Sequence, residues 1–166
     1  MTTTAEPTKR DSSLGGFARG VGAGLAHSVV LGAAFGLTQA WWAGVLAVTP
    51  LVWVAAVCTR RRWTGLGAGV GSAAFWGWSH QWIWGVSAAG FPLLIAHQAA
   101  YAGLFVWLCA RLRTRRGGRL LMAAGAGVLW AGIEALRGEV LWGGYAWFFV
   151  GHPWVEWTAG GFKVPR

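Results

Sequence analysis

Polar side chains interrupt stretches that are otherwise apolar, among them His27, Ser79, His80, Gln81, His97, Gln98, Glu134 and Arg137. Ionisable groups at membrane depth are costly, so each is a functional candidate by default. His80, His97 and Glu134 are of the right types to ligate a metal. A zinc-type site, however, wants three or four convergent ligands, and the two histidines lie on different segments without a ligand-spaced partner. Hydrogen bonding between helices is the expectation for them, and neither a metal nor a cofactor is expected. Glu134 and Arg137, three apart, can meet on one helical face. They would either neutralise each other at a helix end or line a lipid-accessible cavity. Cys58 and Cys109 sit in apolar segments 51 residues apart, which fits neither a disulfide framework nor a metal knuckle.

The elements that must position these groups belong in a membrane. Of 166 residues, 55% are hydrophobic and 11% charged, and the mean hydropathy is +0.47; a soluble domain carries about 25% charged residues. The 27 glycines and 14 tryptophans suit a packed helical bundle with interfacial anchors. We expect an all-α, polytopic transmembrane bundle of about five spans. Hydropathy places them at 20–37, 40–58, 65–84, 91–110 and 120–136, each close to the roughly 17–25 residues a crossing helix needs. Residues 1–19 read as a disordered cytoplasmic tail, 20–137 as the transmembrane domain, and 138–166 as an extracytoplasmic aromatic interfacial segment with a short tail.

Charge sets the orientation. The net charge is +9, but the basic residues cluster between apolar runs instead of forming a nucleic-acid-binding face, and no nucleic-acid partner is expected. Lys9, Arg10 and Arg19 precede the first span, Arg60 to Arg62 follow the second, and Arg111, Arg113, Arg115, Arg116 and Arg119 follow the fourth. These are eleven of the 14 cationic residues, and the alternate connections carry none. Cytoplasmic loops collect Lys and Arg, so the N-terminus is expected inside and the C-terminal segment outside. At a rise of about 1.5 Å per residue, His80 and His97 then fall within about 6–9 Å of the outer boundary. Glu134 and Arg137 lie near it too, as an outward-facing group of lipid- or domain-contact candidates, while His27 lies deeper.

Small residues recur every fourth position in the first span: Gly20, Gly24, Ser28, Gly32 and Gly36. Such a stripe lets another helix approach closely. The third span repeats it with Gly65, Gly69, Ala73 and Gly77. No Lys-Ser/Thr pair follows these glycines, so they are not a phosphate loop. After Arg137, Gly143, Gly144, Tyr145, Trp147, Phe148, Phe149 and Trp154 form a glycine-broken aromatic stretch of the kind that settles at headgroup depth.

The order of these features resembles the apolipoprotein N-acyltransferase family. The resemblance rests on Leu129-Trp130-Ala131-Gly132-Ile133-Glu134-Ala135-Leu136-Arg137-Gly138, then Gly143-Gly144-Tyr145-Ala146-Trp147 and Val150-Gly151-His152. Ala34-Phe35-Gly36-Leu37, the basic turn at Arg60 to Arg62, Trp82-Ile83-Trp84 and Gly90-Phe91-Pro92 occur in the family's order, over about residues 30 to 155. Gly144-Tyr145-Ala146-Trp147 replaces the family's Gly-Phe-Pro-Trp. The resemblance implies a multi-pass protein of a bacterial inner membrane, associated with acyl transfer from a phospholipid to the N-terminal amine of a diacylated lipoprotein. It also implies a nitrilase-like catalytic domain with a Glu-Lys-Cys triad following the membrane helices. Cys58 and Cys109 lie near the inner helix ends, and Lys9 and Lys163 are the only lysines, so no triad can be assembled and no catalytic residue is carried over. The expectation is a truncated or split membrane half, inactive alone, whose partners are membrane phospholipid, a lipoprotein substrate or a separate nitrilase-like chain. The alternative is a small independent scaffold or transport subunit.

Overall fold

The computed structural model describes residues 12–37, 40, 42–113, 119–140, 148 and 149. Most of the described residues are helical, with no strand among them. Helix α1 spans Ser13–Gly32, α2 Ala43–Leu46, α3 Thr49–Val57, α4 Arg61–Ser79, α5 Gly90–Leu112 and α6 Arg119–Ala135. Short π-helical turns extend α1 over Ala33–Leu37 and α6 over Leu136–Val140, and a 3₁₀ turn, Gln81–Gly85, follows α4. Among the described residues, three helical stretches are long and apolar enough to cross a membrane: Ser13–Gly36, Gly90–Leu112 and Leu120–Val140.

Helix α1 begins at Ser13, ahead of the Gly20 that hydropathy gives, because Ser12 caps it: the hydroxyl accepts from the Gly15 N–H at 3.0 Å and satisfies an otherwise orphaned donor. Residues 13–19 are therefore helix, and 1–11 lie outside the described residues. The buried face of α1 carries Gly16, Gly20, Ala23, Gly24, His27, Ser28 and Leu31, the three- and four-residue steps of one helical stripe.

That stripe lies parallel to α4, and the contact is glycine against glycine. A Cβ on Gly20 would meet the Thr64 carbonyl, and one on Gly24 the Ala68 carbonyl. Reciprocally, one on Gly67 would meet Phe17 backbone and one on Gly71 the Val21 carbonyl. Each helix thus presses its backbone into the other's glycine notch. The opposite face of α4 does the same toward antiparallel α5, where a Cβ on Gly65 would lie 2.9 Å from the Gly103 carbonyl. Sandwiched on both sides, α4 needs little hydrophobicity of its own, which is why a helix containing Arg61, Arg62 and five glycines between Gly65 and Gly77 sits centrally. Of the remaining small residues, Gly32 is buried, and a Cβ on Gly36 would meet the Trp78 ring at 2.7 Å.

The apolar stretch 40–58, expected as one span, is broken in two. Pro50 lies in the first turn of α3 and, lacking an N–H, cannot continue a helix from α2. Leu51 bonds back to the Val48 carbonyl at 3.1 Å, which leaves the Ala47 carbonyl without a helical partner. At its other end α3 is closed by Arg113, whose guanidinium donates to the Ala56 carbonyl at 2.7 Å. This contact gathers the ends of α3 and α5, and Arg60 to Arg62 at the start of α4 lie at the same basic end, Arg60 beside Gly16 of α1. Leu51, Val54, Phe105, Val106, Cys109 and Ile133 join the α3, α5 and α6 faces into one core; Leu31, Ala47, Phe75, Trp76 and Ala99 form a second. Helix α6 packs chiefly on α5, with 17% of its apolar window buried against 44% for α1 and α5, so it stands at the bundle's edge.

Candidate functional site

At the end of the bundle opposite the arginines, α1, α4, α5 and α6 converge on a polar group lined by aromatic rings. Its centre is Arg137, 4% exposed, at the π-helical turn that closes α6. The guanidinium donates to Gln98 Oε1 on α5 and to the Phe148 carbonyl, each at 3.4 Å. It also stands 5.2 Å over the Trp76 ring and 5.1 Å over Phe149, where the ring quadrupoles favour a cation. A Cβ on Gly138 would collide with the Phe149 ring, so the absence of a side chain there is what lets Phe149 seat beside Arg137.

The sequence candidates come together only in part. Glu134 and Arg137 line the same small internal cavity, with His27, Trp76, Gln98, Tyr101, Trp130 and Phe148. His80 does not line it, but is buried beside it: its ring lies 5.6 Å from Trp76 and 5.5 Å from Phe148, the neighbours it shares with Arg137. Its Nδ1 is 2.8 Å from Ser79 Oγ and 3.1 Å from the Trp76 carbonyl. His97 is turned to its own helix, where Nε2 shares a hydrogen bond of 2.9 Å with the Tyr101 hydroxyl. Among the described residues, no three His, Cys, Asp or Glu side chains gather as a metal centre would require. Most of the aromatic segment 138–166 lies outside the described residues.

Below this cluster, the α1–α4 contact is tied by polar bonds. Ser28 Oγ donates toward the Gly71 and Ser72 carbonyls, 3.1 and 3.2 Å away, and accepts from the Phe75 N–H at 3.2 Å. Ser72 reaches the Gly69 carbonyl at 2.9 Å and the Ala99 carbonyl at 3.4 Å, linking α4 to α5. The roles of Trp76, Tyr101, Trp130 and Phe148 escape sequence reasoning because aromatics in apolar segments look like core; their only signal is nearness to a polar residue one turn away.

Outside the cluster, an apolar groove of about 510 Å³ runs between α2–α3 and α6, past Val48, Val52, Trp53 and Ala126, and ends at Trp130 and Glu134. A second groove, about 520 Å³ between α4 and α5, is lined by Val70, Ala73, Phe91, Pro92 and Ile95, and no ionisable group borders it. Cys58 and Cys109 are buried free thiols near the basic end, remote from Arg137.

Comparison with known families gives a match over residues 27–162 to the family described as apolipoprotein N-acyltransferase N-terminal domain. No curated protein and no solved structure matches significantly.

Proposed function

Since the chain belongs to the apolipoprotein N-acyltransferase N-terminal domain family, we propose that its bundle is the lipid-handling platform of an acyl-transfer system, with the thiol chemistry supplied by residues outside it. The observation that carries this reading is Glu134, which ends the apolar groove between α3 and α6 and also lines the small cavity that holds the buried guanidinium of Arg137. An acyl chain lying in such a groove exchanges bilayer hydrocarbon for packing against the groove walls, so the site is selected by shape and by its polar end and not by transfer from water. The polar end of the lipid then falls at the Glu134 and Arg137 level, where a substrate amine and an acyl ester have to meet.

The chain's own thiols do not fit the catalytic part. Both are buried at the far end of the bundle, and an acyl transfer through a thioester needs an accessible thiolate. On this reading the setting is a bacterial inner membrane, with the Arg137 end facing outward, phospholipid as donor and a diacylated lipoprotein as acceptor. A nitrilase-like domain supplies the nucleophile. A transport role is less well supported, because the space among the polar residues is about 20 Å³, too small for a solute larger than water.

The test is photolabelling. A phospholipid bearing a photoactivatable group in its acyl chain, reconstituted with the protein, should label Val48, Val52 and Ala126 above the α4–α5 groove. Equal labelling of both grooves would remove the support for this site.

A further inference from the structure

Two hydrogen-bond donors are buried without a partner among the described residues, Gln98 Nε2 and Trp130 Nε1. They come from different helices, α5 and α6, yet both residues line the one small cavity. Gln98 is 1% exposed, and its orientation is fixed: Oε1 accepts from Arg137, a group that can only donate. The amide nitrogen is thereby turned away from Arg137 and its two protons are left over. The indole N–H of Trp130 has no acceptor role to fall back on. Leaving two such donors unsatisfied in a helical bundle is costly, and native interiors rarely do so.

The third wall of the cavity supplies the opposite polarity. His27 is 1% exposed and its Nδ1 lies 2.6 Å from the Ala47 carbonyl. A carbonyl only accepts, so the proton sits on Nδ1, and in the neutral ring Nε2 carries the lone pair. Glu134 adds carboxylate oxygens to the same lining. The cavity therefore presents two donors and two kinds of acceptor around about 20 Å³, just above the roughly 10–15 Å³ that one water requires.

We propose that this cavity is a binding site for a single internal water that accepts from Gln98 Nε2 and Trp130 Nε1 and donates to His27 and Glu134. Such a water adds α1 to the link that the Arg137–Gln98 bond already makes between the end of α6 and α5. It also connects to the break between α2 and α3, because the same imidazole holds the Ala47 carbonyl. The site is separate from the proposed lipid groove, although Trp130 and Glu134 form the wall between them, so a lipid carbonyl is the competing occupant that an experiment must exclude.

Solid-state NMR on the protein in bilayers reads the occupant directly. Magnetisation transfer from water to the Trp130 indole N–H and the Gln98 side-chain amide is expected, and it should persist in bilayers of changed acyl length. Transfer from lipid protons to these groups, or from neither source, would overturn the proposal. A pair of variants provides a second reading through Ala102, which also lines the cavity. A hydroxyl at Ala102→Ser stays compatible with a wet cavity, whereas Ala102→Val displaces the water and strands both donors. The Val variant should therefore melt several degrees below the Ser variant. The reverse order is what a dry, apolar void would give, and would contradict the site.

Discussion

His27 on α1 donates from Nδ1 to the Ala47 carbonyl at 2.6 Å, across the break between α2 and α3. Pro50 creates the break and so frees the carbonyl; the histidine restores its bond. A broken helix is tolerated at membrane depth only where the freed backbone groups find partners, and here the partner is a side chain twenty residues away. His27 is thus part of the fold's wiring before it is anything else.

Replacing it with leucine of similar bulk should leave the Ala47 carbonyl buried and unpaired. The expected loss is about 1–3 kcal/mol, read as a lowered melting temperature in detergent. A second replacement, Pro50→Ala, lets α2 and α3 join and take up the carbonyl, and should recover part of that loss in the double variant. Identical losses with and without Pro50→Ala would show that the bond does not compensate the break.

The glycine contact between α1 and α4 predicts a sharp positional contrast. Gly24→Ala places a methyl on the Ala68 carbonyl, and Gly71→Ala places one on the Val21 carbonyl, so either should cost about 1–3 kcal/mol or more through overpacking. Gly22→Ala meets nothing within 4 Å and should leave stability unchanged or raise it by up to about 1 kcal/mol. Thermal melts of the three variants suffice; equal effects would mean that α1 and α4 do not touch through these glycines.

Arg137 and Gln98 should behave as a coupled pair. Removing either leaves a buried group without its partner, so the losses from Arg137→Met and Gln98→Leu should not add. We expect a coupling energy of about 0.5–3 kcal/mol in a double-mutant cycle, from melts of both single variants and the double. Strict additivity would place the two side chains apart.

Much of the architecture could be read from residue order, and the failures have physical causes. Gly20 and Gly24 stand out because they open a run of small residues at four-residue steps, continued by Ser28 and Gly32. Their partner was not legible, since α4 carries two interleaved glycine pairs. Gly65 and Gly69 face α5, and the pair that meets α1 is Gly67 and Gly71. The interruption of 40–58 did have a signal, Thr49-Pro50, outweighed by the run's hydropathy. At the cluster, Arg137 and Glu134 were visible as ionisable groups at a helix end. What joins Arg137 to Gln98, 39 residues earlier in the chain, is tertiary packing of α6 on α5, for which no local pattern exists. His80 and His97 are expected near Arg137 from depth alone; His80 shares Trp76 and Phe148 with Arg137, and His97 bonds Tyr101, which lines the same cavity as Arg137.

The clustering of basic residues leads us to expect the basic end of the bundle in the cytoplasm. Reporter fusions at Arg115 and after Trp157 should report the cytoplasm and the opposite side respectively, because cationic residues are retained inside. A cytoplasmic signal from both would require an even number of crossings.

On the proposed function, this bundle handles lipid and needs residues outside it for acyl transfer. Purified protein given phospholipid and a diacylated lipopeptide, with products followed by mass spectrometry, tests it most directly. No triacylated lipopeptide is expected from the chain alone, since Cys58 and Cys109 are buried at the basic end. Triacylated product formed without any other protein, and lost on Glu134→Gln or His97→Ala, would contradict the account.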